Sequence, residues 1–416
     1  MEIRKADAMK SAKSLNHGNH ILSSKAFFRT LRETLIAYSF DIGGLFAGFM
    51  VASQLNVFQL SPWAIAIYPA IVSAKGVIGG LLSGRLSTAL HIGTIYPRLY
   101  KNSSSFYRLV AALIFVTLLT SVAMSAVSLV FGLMFWGITL ADFPAILLVV
   151  MSTMALGLLL TLATMNVAFL TFKRGLDPDV VVYPIMSTTA DIFITLCYVL
   201  TLNLFFLFDA GKHALVLIVL VHIILILYIL PRNIRSEEFV KTVKESLVTM
   251  FVVAFVVNIT GTVLKRISTI VQGRKEIYTV YPALIDLVGD VGSVVGSTAT
   301  TKLALGLLKP SLTSMKDHAL QIFSAWTASL VLFVVLAALS LSMNAMFTPH
   351  LFLGLISMLF ITNIIAVAVI VLLSYAIAIL TFQRGLNPDN FVIPLESSLA
   401  DSLTSIALLI ALITSG

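Results

Sequence analysis

The 22 residues from Leu170 to Asp191 read LTFKRGLDPDVVVYPIMSTTAD, and a second copy from Leu380 to Asp401 reads LTFQRGLNPDNFVIPLESSLAD. The copies are 210 residues apart and 13 of their 22 positions are identical, which indicates an internal duplication. Each copy closes one apolar segment, passes through an R-G-L-x-P-D turn and enters a second apolar segment. Each then carries an aspartate, Asp191 or Asp401, roughly two helical turns into that segment.

The composition places these aspartates inside a membrane. Of the 416 residues, 59% are hydrophobic and 11% are charged, and the mean hydropathy is +1.02. These values predict an all-α polytopic membrane protein and exclude a water-soluble enzyme. A carboxylate in a membrane helix costs roughly 2.5 to 3.5 kcal/mol on insertion scales and usually serves a function. The duplication therefore predicts a paired acidic site.

Eleven apolar segments are long enough to form transmembrane helices. They lie near residues 33–56, 67–93, 107–136, 144–172, 182–208, 212–231, 240–264, 280–307, 319–344, 350–382 and 391–414. We divide the chain into a basic cytoplasmic N-terminal tail (1–32), a first transmembrane unit (33–208), a linking helix and loop (209–239) and a second unit (240–416).

The repeat includes the second helix of each unit, where Tyr68-Pro69-Ala70 aligns with Tyr281-Pro282-Ala283 at an offset of 213. Each unit has five helices, and the single linking helix gives both units the same orientation. We therefore expect two parallel repeats about an axis along the membrane normal, forming a pseudo-dimer within one chain.

The charge distribution and the cysteine content predict the topology of the chain and the kinds of partner it has. Basic residues concentrate in the N-terminal tail and alternate loops, which predicts a cell-membrane protein with a cytoplasmic N-terminus and a C-terminus on the opposite side. This topology accounts for the net charge of +8 without a nucleic-acid partner, so the expected partners are the lipid bilayer and a cation. The single cysteine, Cys197, excludes disulfides and Cys-based zinc sites.

Two further aspartates, Asp286 and Asp290, lie four residues apart on one face of the second helix of the second unit. Such a pair is expected to line water or an ion path. The alternative is that Asp290 pairs with a lysine, such as Lys75 or Lys302, and only stabilises the structure.

The stretch Lys75 to Gly93, KGVIGGLLSGRLSTALHIG, together with the R-G-L-x-P-D turn and the P-x-x-x-S-x-x-x-D helix, resembles the MgtE-type magnesium transporters. The resemblance is to their solute carrier 41 branch, in which two five-helix units are fused. It implies transport of divalent metal cations, above all Mg²⁺. A channel and an exchanger that uses Na⁺ as the coupling ion both need such an acidic site, so the sequence leaves both open. The resemblance also implies that Asp191 and Asp401 bind Mg²⁺ on a central axis and that Ser187 and Ser397 lie near the hydrated ion.

The second helices depart from the family pattern. Val77 and Gly79 stand where the family has Asn and a polar or acidic residue, whereas the second unit has Asp290 at the Asn position. The two halves therefore offer unequal ligands. We expect a secondary, off-axis cation site lined by Asp290, with Asp286 one turn away.

Three other residues are weaker candidates. Asp41 is either an auxiliary cation ligand or the cap of a break in the first helix, and Asn258 lies near its counterpart in the second unit. Glu396 either attracts cations to the mouth of the pathway or is a solvated carboxylate at the membrane interface.

The chemistry of these groups favours Mg²⁺, which loses water reluctantly and is held through one or two carboxylates plus waters. Two alternatives remain. One is an ion-coupled secondary transporter of another cation or small solute, because the Pro and Gly residues permit broken helices. The other is an intramembrane aspartyl protease, which is disfavoured because its Tyr-Asp and Gly-x-Gly-Asp motifs are missing.

Overall fold

The computed structural model of the chain describes residues 27–174, 178–384 and 389–415, without the side chains of 178–187, 389–398 and a few further helical positions. Every regular element in these ranges is a helix, which confirms the all-α class. The helices are α1 (27–38), α2 (Gly44–Ser53), α3 (Leu55–Phe58), α4 (Pro62–Ile92), α5 (Ser104–Phe131), α6 (Phe143–Lys173), α7 (Pro178–Leu207), α8 (Gly211–Asn233), α9 (Glu237–Val271), α10 (Lys275–Ala304), α11 (Ala319–Met343), α12 (Pro349–Gln383) and α13 (Asp389–Ser415).

Each of the eleven apolar segments corresponds to a helix or, for the first segment, to the series α1 to α3. Over the described residues, nine helical stretches are long and apolar enough to cross a membrane. The other two segments correspond to α4 and to α13, which contributes the shorter apolar stretch Leu399–Thr414. The chain is therefore a multi-pass membrane protein.

Local sequence accounts for where several helices begin and end. Ser103 and Thr348 precede α5 and α12, and their side chains accept the backbone N–H groups of Phe106 and Leu351, both at 3.3 Å. These caps satisfy donors that the first turn leaves unpaired. At the other end of α4, Gly93 has a φ of 80°, a left-handed conformation that glycine adopts without strain.

We call α1–α7 the first repeat and α9–α13 the second repeat. Within each repeat the second long helix packs against the fourth and fifth: α4 against α6 and α7, and α10 against α12 and α13. Between the repeats, α2 packs on α10 and α9 packs on α4. Each repeat therefore places its first membrane helix on the second helix of the other. The linking helix α8 lies at the periphery, against α5, α6 and α7.

Glycine permits both of these crossings. A Cβ atom at Gly48 would collide with the backbone carbonyl oxygen of Thr279, and a Cβ atom at Gly261 would collide with that of Ala66. Both pairs of positions, 48 with 261 and 66 with 279, differ by 213. The two crossings are therefore the same contact, formed twice with the repeats exchanged.

The offset between equivalent positions of the two repeats changes by one residue along the first membrane helix of each, from 212 to 213. Near its start, Thr34 donates to the carbonyl oxygen of Thr30 and Ser246 donates to that of Thr242, an offset of 212. Between there and Gly48 the first repeat has a 3₁₀ segment, Ser39–Gly43. A 3₁₀ helix rises about 2.0 Å per residue against about 1.5 Å in an α-helix, so the first repeat covers the same length with one residue fewer.

Candidate functional site

A cavity lies where α4 and α7 of the first repeat meet α10 and α13 of the second. We call it the central cavity. Its wall consists of five repeat-equivalent pairs: Tyr68 and Tyr281, Pro69 and Pro282, Val72 and Ile285, Ser73 and Asp286, and Asp191 and Asp401. The first four pairs are offset by 213 and the last by 210. Both repeats thus contribute the same five positions.

The central cavity has a volume of about 40 Å³, which is enough for a few water molecules. A Mg²⁺ ion with a complete shell of about six waters is larger than this. A cation entering the cavity therefore exchanges part of its water for protein oxygens, or the walls separate around it.

The acidic groups of the central cavity make contacts across the repeat boundary. Ser73 donates from Oγ to Oδ2 of Asp401 at 2.7 Å. Asp191 and Asp286 line the same cavity from different repeats. Ser73 and Asp286 are repeat equivalents, so each second helix brings a polar group to the cavity that the fifth-helix aspartate of the other repeat also lines. Ionised carboxylates accept hydrogen bonds but donate none, so three of them around one small buried cavity need protons or a cation to offset their mutual repulsion.

Each tyrosine of the wall forms a buried hydrogen bond through its hydroxyl group. The Tyr68 hydroxyl lies 3.0 Å from Oγ1 of Thr195, and the Tyr281 hydroxyl lies 2.7 Å from Oγ of Ser405. Buried tyrosine hydroxyls need such partners. These bonds join α4 to α7 and α10 to α13, and they fix the two rings as part of the wall.

Among the residues that the structure describes, no ion pair neutralises the negative charge of the carboxylates in the central cavity. The described ion pairs are Arg29–Glu33, Arg108–Glu238 and Arg274–Glu276. With up to three negative charges from Asp191, Asp286 and Asp401 and a buried setting, the cavity favours a positively charged occupant.

The carboxylates and hydroxyls here are hard oxygen ligands of the kind that Mg²⁺ prefers. In the described part of the chain, no three His, Cys, Asp or Glu side chains converge closely enough to hold a metal ion by themselves. A small hydrated cation held by one or two carboxylates, hydroxyls and waters is the occupant that fits these walls.

The other predicted site residues lie elsewhere. Asp41 is buried in the 3₁₀ segment, and Asp290 lies one turn beyond Asp286 on α10, outside the wall of the central cavity. Asn258 accepts a hydrogen bond from Ser128 at 2.8 Å and donates to the Ala254 carbonyl at 2.7 Å, also away from the cavity.

The offset of 213 around Gly48 and Gly261 matches Asp41 to Ala254, and the offset of 212 matches it to Val253. Asn258 is therefore four or five positions, about one helical turn, beyond the counterpart of Asp41. The side chains of Ser187, Ser397 and Glu396 fall outside the described residues.

Sequence reasoning did not identify Tyr68, Tyr281 and Ser73 as parts of the site. The signal for the tyrosines was present, because both begin the Tyr-Pro-Ala motif that the repeats share. Ser73 stands at the repeat position of Asp286, but its bond to Asp401 crosses between repeats and leaves no pattern in the sequence.

Comparison with known protein families agrees with the duplication. The family model MgtE, described as a divalent cation transporter, matches residues 68–201 and 281–411. Each match begins at the tyrosine of the cavity wall and ends within the fifth helix of its repeat. Neither the curated proteins nor the solved structures gave a match to the chain.

Proposed function

Because the chain belongs to the MgtE family of divalent cation transporters, we propose that it carries Mg²⁺ across the membrane through the central cavity. In this proposal one or two of Asp191, Asp286 and Asp401 bind the partly hydrated ion directly, the remaining carboxylate acts through its waters, and Ser73 orients Asp401. Ser187 and Ser397, one turn before the fifth-helix aspartates, would contact its water shell.

The observation that carries the proposal is the composition of the cavity wall. Five positions of one repeat and the same five of the other enclose a single cavity, and three carboxylates contribute to it. A pocket for an organic solute usually has a volume of about 300–1,000 Å³, far above the roughly 40 Å³ of the central cavity. This cavity is small, and its polar groups are the hard oxygen ligands that suit Mg²⁺.

We further propose that the chain is a pseudo-dimer of two parallel five-helix units (33–208 and 240–416) joined by the linking segment 209–239, as in the solute carrier 41 branch. The exchanged crossings of α2 on α10 and α9 on α4 support this arrangement. Glycines at repeat-equivalent positions in both crossings support it as well. The basic N-terminal tail would then be cytoplasmic and the C-terminus would lie on the opposite side.

The test is Mg²⁺ flux into proteoliposomes that contain the purified chain. Asp191→Asn and Asp401→Asn should each reduce flux at least tenfold, and the double variant should abolish it. The matched control is Asp209→Asn, which removes the same charge from an exposed turn between α7 and α8. Undiminished Mg²⁺ flux in the folded double variant would refute the proposed pathway.

The same vesicles distinguish the finer alternatives. Flux driven by the membrane potential alone supports a channel-like mechanism, whereas a strict requirement for a Na⁺ gradient supports coupled exchange. Competition by Mn²⁺, Co²⁺ and Ca²⁺ measures selectivity. Faster transport of one of these ions than of Mg²⁺ would change the assigned substrate without changing the site.

A further inference from the structure

A second acidic group lies beside the central cavity, at the crossing of the first repeat onto α10. Asp41 is in the 3₁₀ segment Ser39–Gly43, which packs against α7 and α10, and only 6% of the residue is exposed. Its Oδ2 atom is buried and has no hydrogen-bond partner among the described residues. Gly44 and Gly48 lie against Ala283 and Thr279 of α10, so the two segments run antiparallel and Asp41 lies beside the part of α10 that carries Asp286 and Asp290. A buried carboxylate oxygen without a partner is costly and calls for a ligand.

The equivalent crossing in the other half has neither carboxylate. The counterpart of Asp41 is Val253 or Ala254, both buried and apolar, and the counterpart of Asp290 is Val77. The crossing of α9 on α4 forms without these acids, so helix packing does not require them. The two carboxylates occur together in one crossing and are absent together from the other, as expected for two ligands of one site.

The alternative for Asp290 was an ion pair with Lys75 or Lys302 that only stabilises the structure. The contacts of the described residues do not support this ion pair. Lys302 donates from Nζ to Oε1 of Gln321 at 2.8 Å. The aliphatic part of the Lys75 side chain lies near Gly157 on α6. Among the ion pairs of the described residues, none includes Asp41 or Asp290.

We propose that Asp41 and Asp290 hold a second divalent cation next to the central cavity. Two carboxylates are neutralised by one divalent ion, whereas a monovalent ion would leave a buried net charge. Waters and backbone oxygens complete such a site for Mg²⁺. The inference uses the proposed function only for the identity of the ion, and it goes beyond that function by adding a site that exists in one half of the molecule alone.

The number of cations bound per chain tests this site. The purified full-length chain is dialysed to equilibrium against Mg²⁺, and bound metal is counted by elemental analysis, with Mn²⁺ electron paramagnetic resonance as a second probe. The wild type should bind two cations per chain, and Asp41→Asn and Asp290→Asn should each bind one. Asp41→Ala, which copies the apolar type found in the equivalent crossing, should also bind one and remain folded. The control Asp209→Asn should bind two.

The count also separates this inference from the proposed function. The double variant Asp191→Asn with Asp401→Asn should lose the central ion and keep the second one. A wild type that binds a single divalent cation at saturation would overturn the second site, and so would an Asp41→Asn variant that still binds two. If Na⁺ rather than Mg²⁺ fills the second site, the divalent assignment is wrong.

Discussion

The two repeats have retained the same backbone contacts but have diverged in charge. Gly48 and Gly261 form the same crossing, and the two wall tyrosines make the same kind of hydroxyl bond. At another pair of wall positions the first repeat has Ser73 and the second has Asp286. The comparison teaches that geometry at the repeat boundary tolerates little change, whereas the ligands can differ as long as the cavity remains acidic.

Replacing Asp286 with the serine found at this position of the other repeat should have the largest effect on cation binding. A unit charge 4 Å from a divalent ion contributes roughly 8 kcal/mol at an effective dielectric constant of about 20, before desolvation. We therefore expect Asp286→Ser, which makes the repeats alike, to weaken Mg²⁺ binding about 100-fold, or about 2.7 kcal/mol. Isothermal titration calorimetry on the purified chain measures this.

The double exchange Ser73→Asp with Asp286→Ser serves as the control, because it moves the carboxylate to the equivalent position on the other repeat. Binding should recover to within about tenfold of the wild type if the cavity is pseudo-symmetric. Normal affinity in Asp286→Ser alone would show that Asp286 does not contact the ion.

Larger side chains at the crossings should destabilise both halves to a similar degree. Gly48→Val and Gly261→Val push a side chain into a backbone carbonyl group that cannot rotate away. We expect each to lower the free energy of unfolding by about 1–3 kcal/mol or more, measured by thermal or denaturant unfolding in detergent. Gly354→Ala, in open space on α12, is the control and should be neutral or slightly stabilising. A large effect at only one crossing would contradict their equivalence.

Removing the tyrosine hydroxyls should have the smallest effect. Tyr68→Phe and Tyr281→Phe each lose one buried hydrogen bond, which is worth about 1 kcal/mol. We expect equal losses of stability from the two variants and Mg²⁺ affinity within a few-fold of the wild type, measured by the same unfolding and calorimetry experiments. A loss of binding as severe as that in Asp286→Ser would show instead that a tyrosine hydroxyl is itself a cation ligand.

The sequence was sufficient to predict the helices and to pick out Asp191 and Asp401 as an equivalent pair, whereas their binding of a cation stays a prediction. Length and apolar composition are enough to identify membrane helices. An aspartate that occurs at the same point of both repeats inside a membrane helix indicates where a site lies. Asp191 and Asp401 do line one cavity, and Asp286 joins them there.

What the sequence could not supply were the partners across the repeat boundary. The bond from Ser73 to Asp401 depends on two helices that are 328 positions apart in the chain. The position of Asp41 depends on the 3₁₀ segment, because the register shift that it introduces is invisible to a pattern of apolar residues. The sequence therefore placed the counterpart of Asp41 only near Asn258, whereas the two offsets match Asp41 to Val253 or Ala254.

The exchanged crossings at Gly48 and Gly261 limit how the protein can move during transport. The two halves pack backbone against backbone at two places, Gly48 on Thr279 and Gly261 on Ala66. Rotation of one half as a rigid body against the other would separate both crossings at once and expose tightly packed surface. We therefore expect the ion to pass through a fixed frame, with opening and closing confined to side chains and helix ends around the cavity.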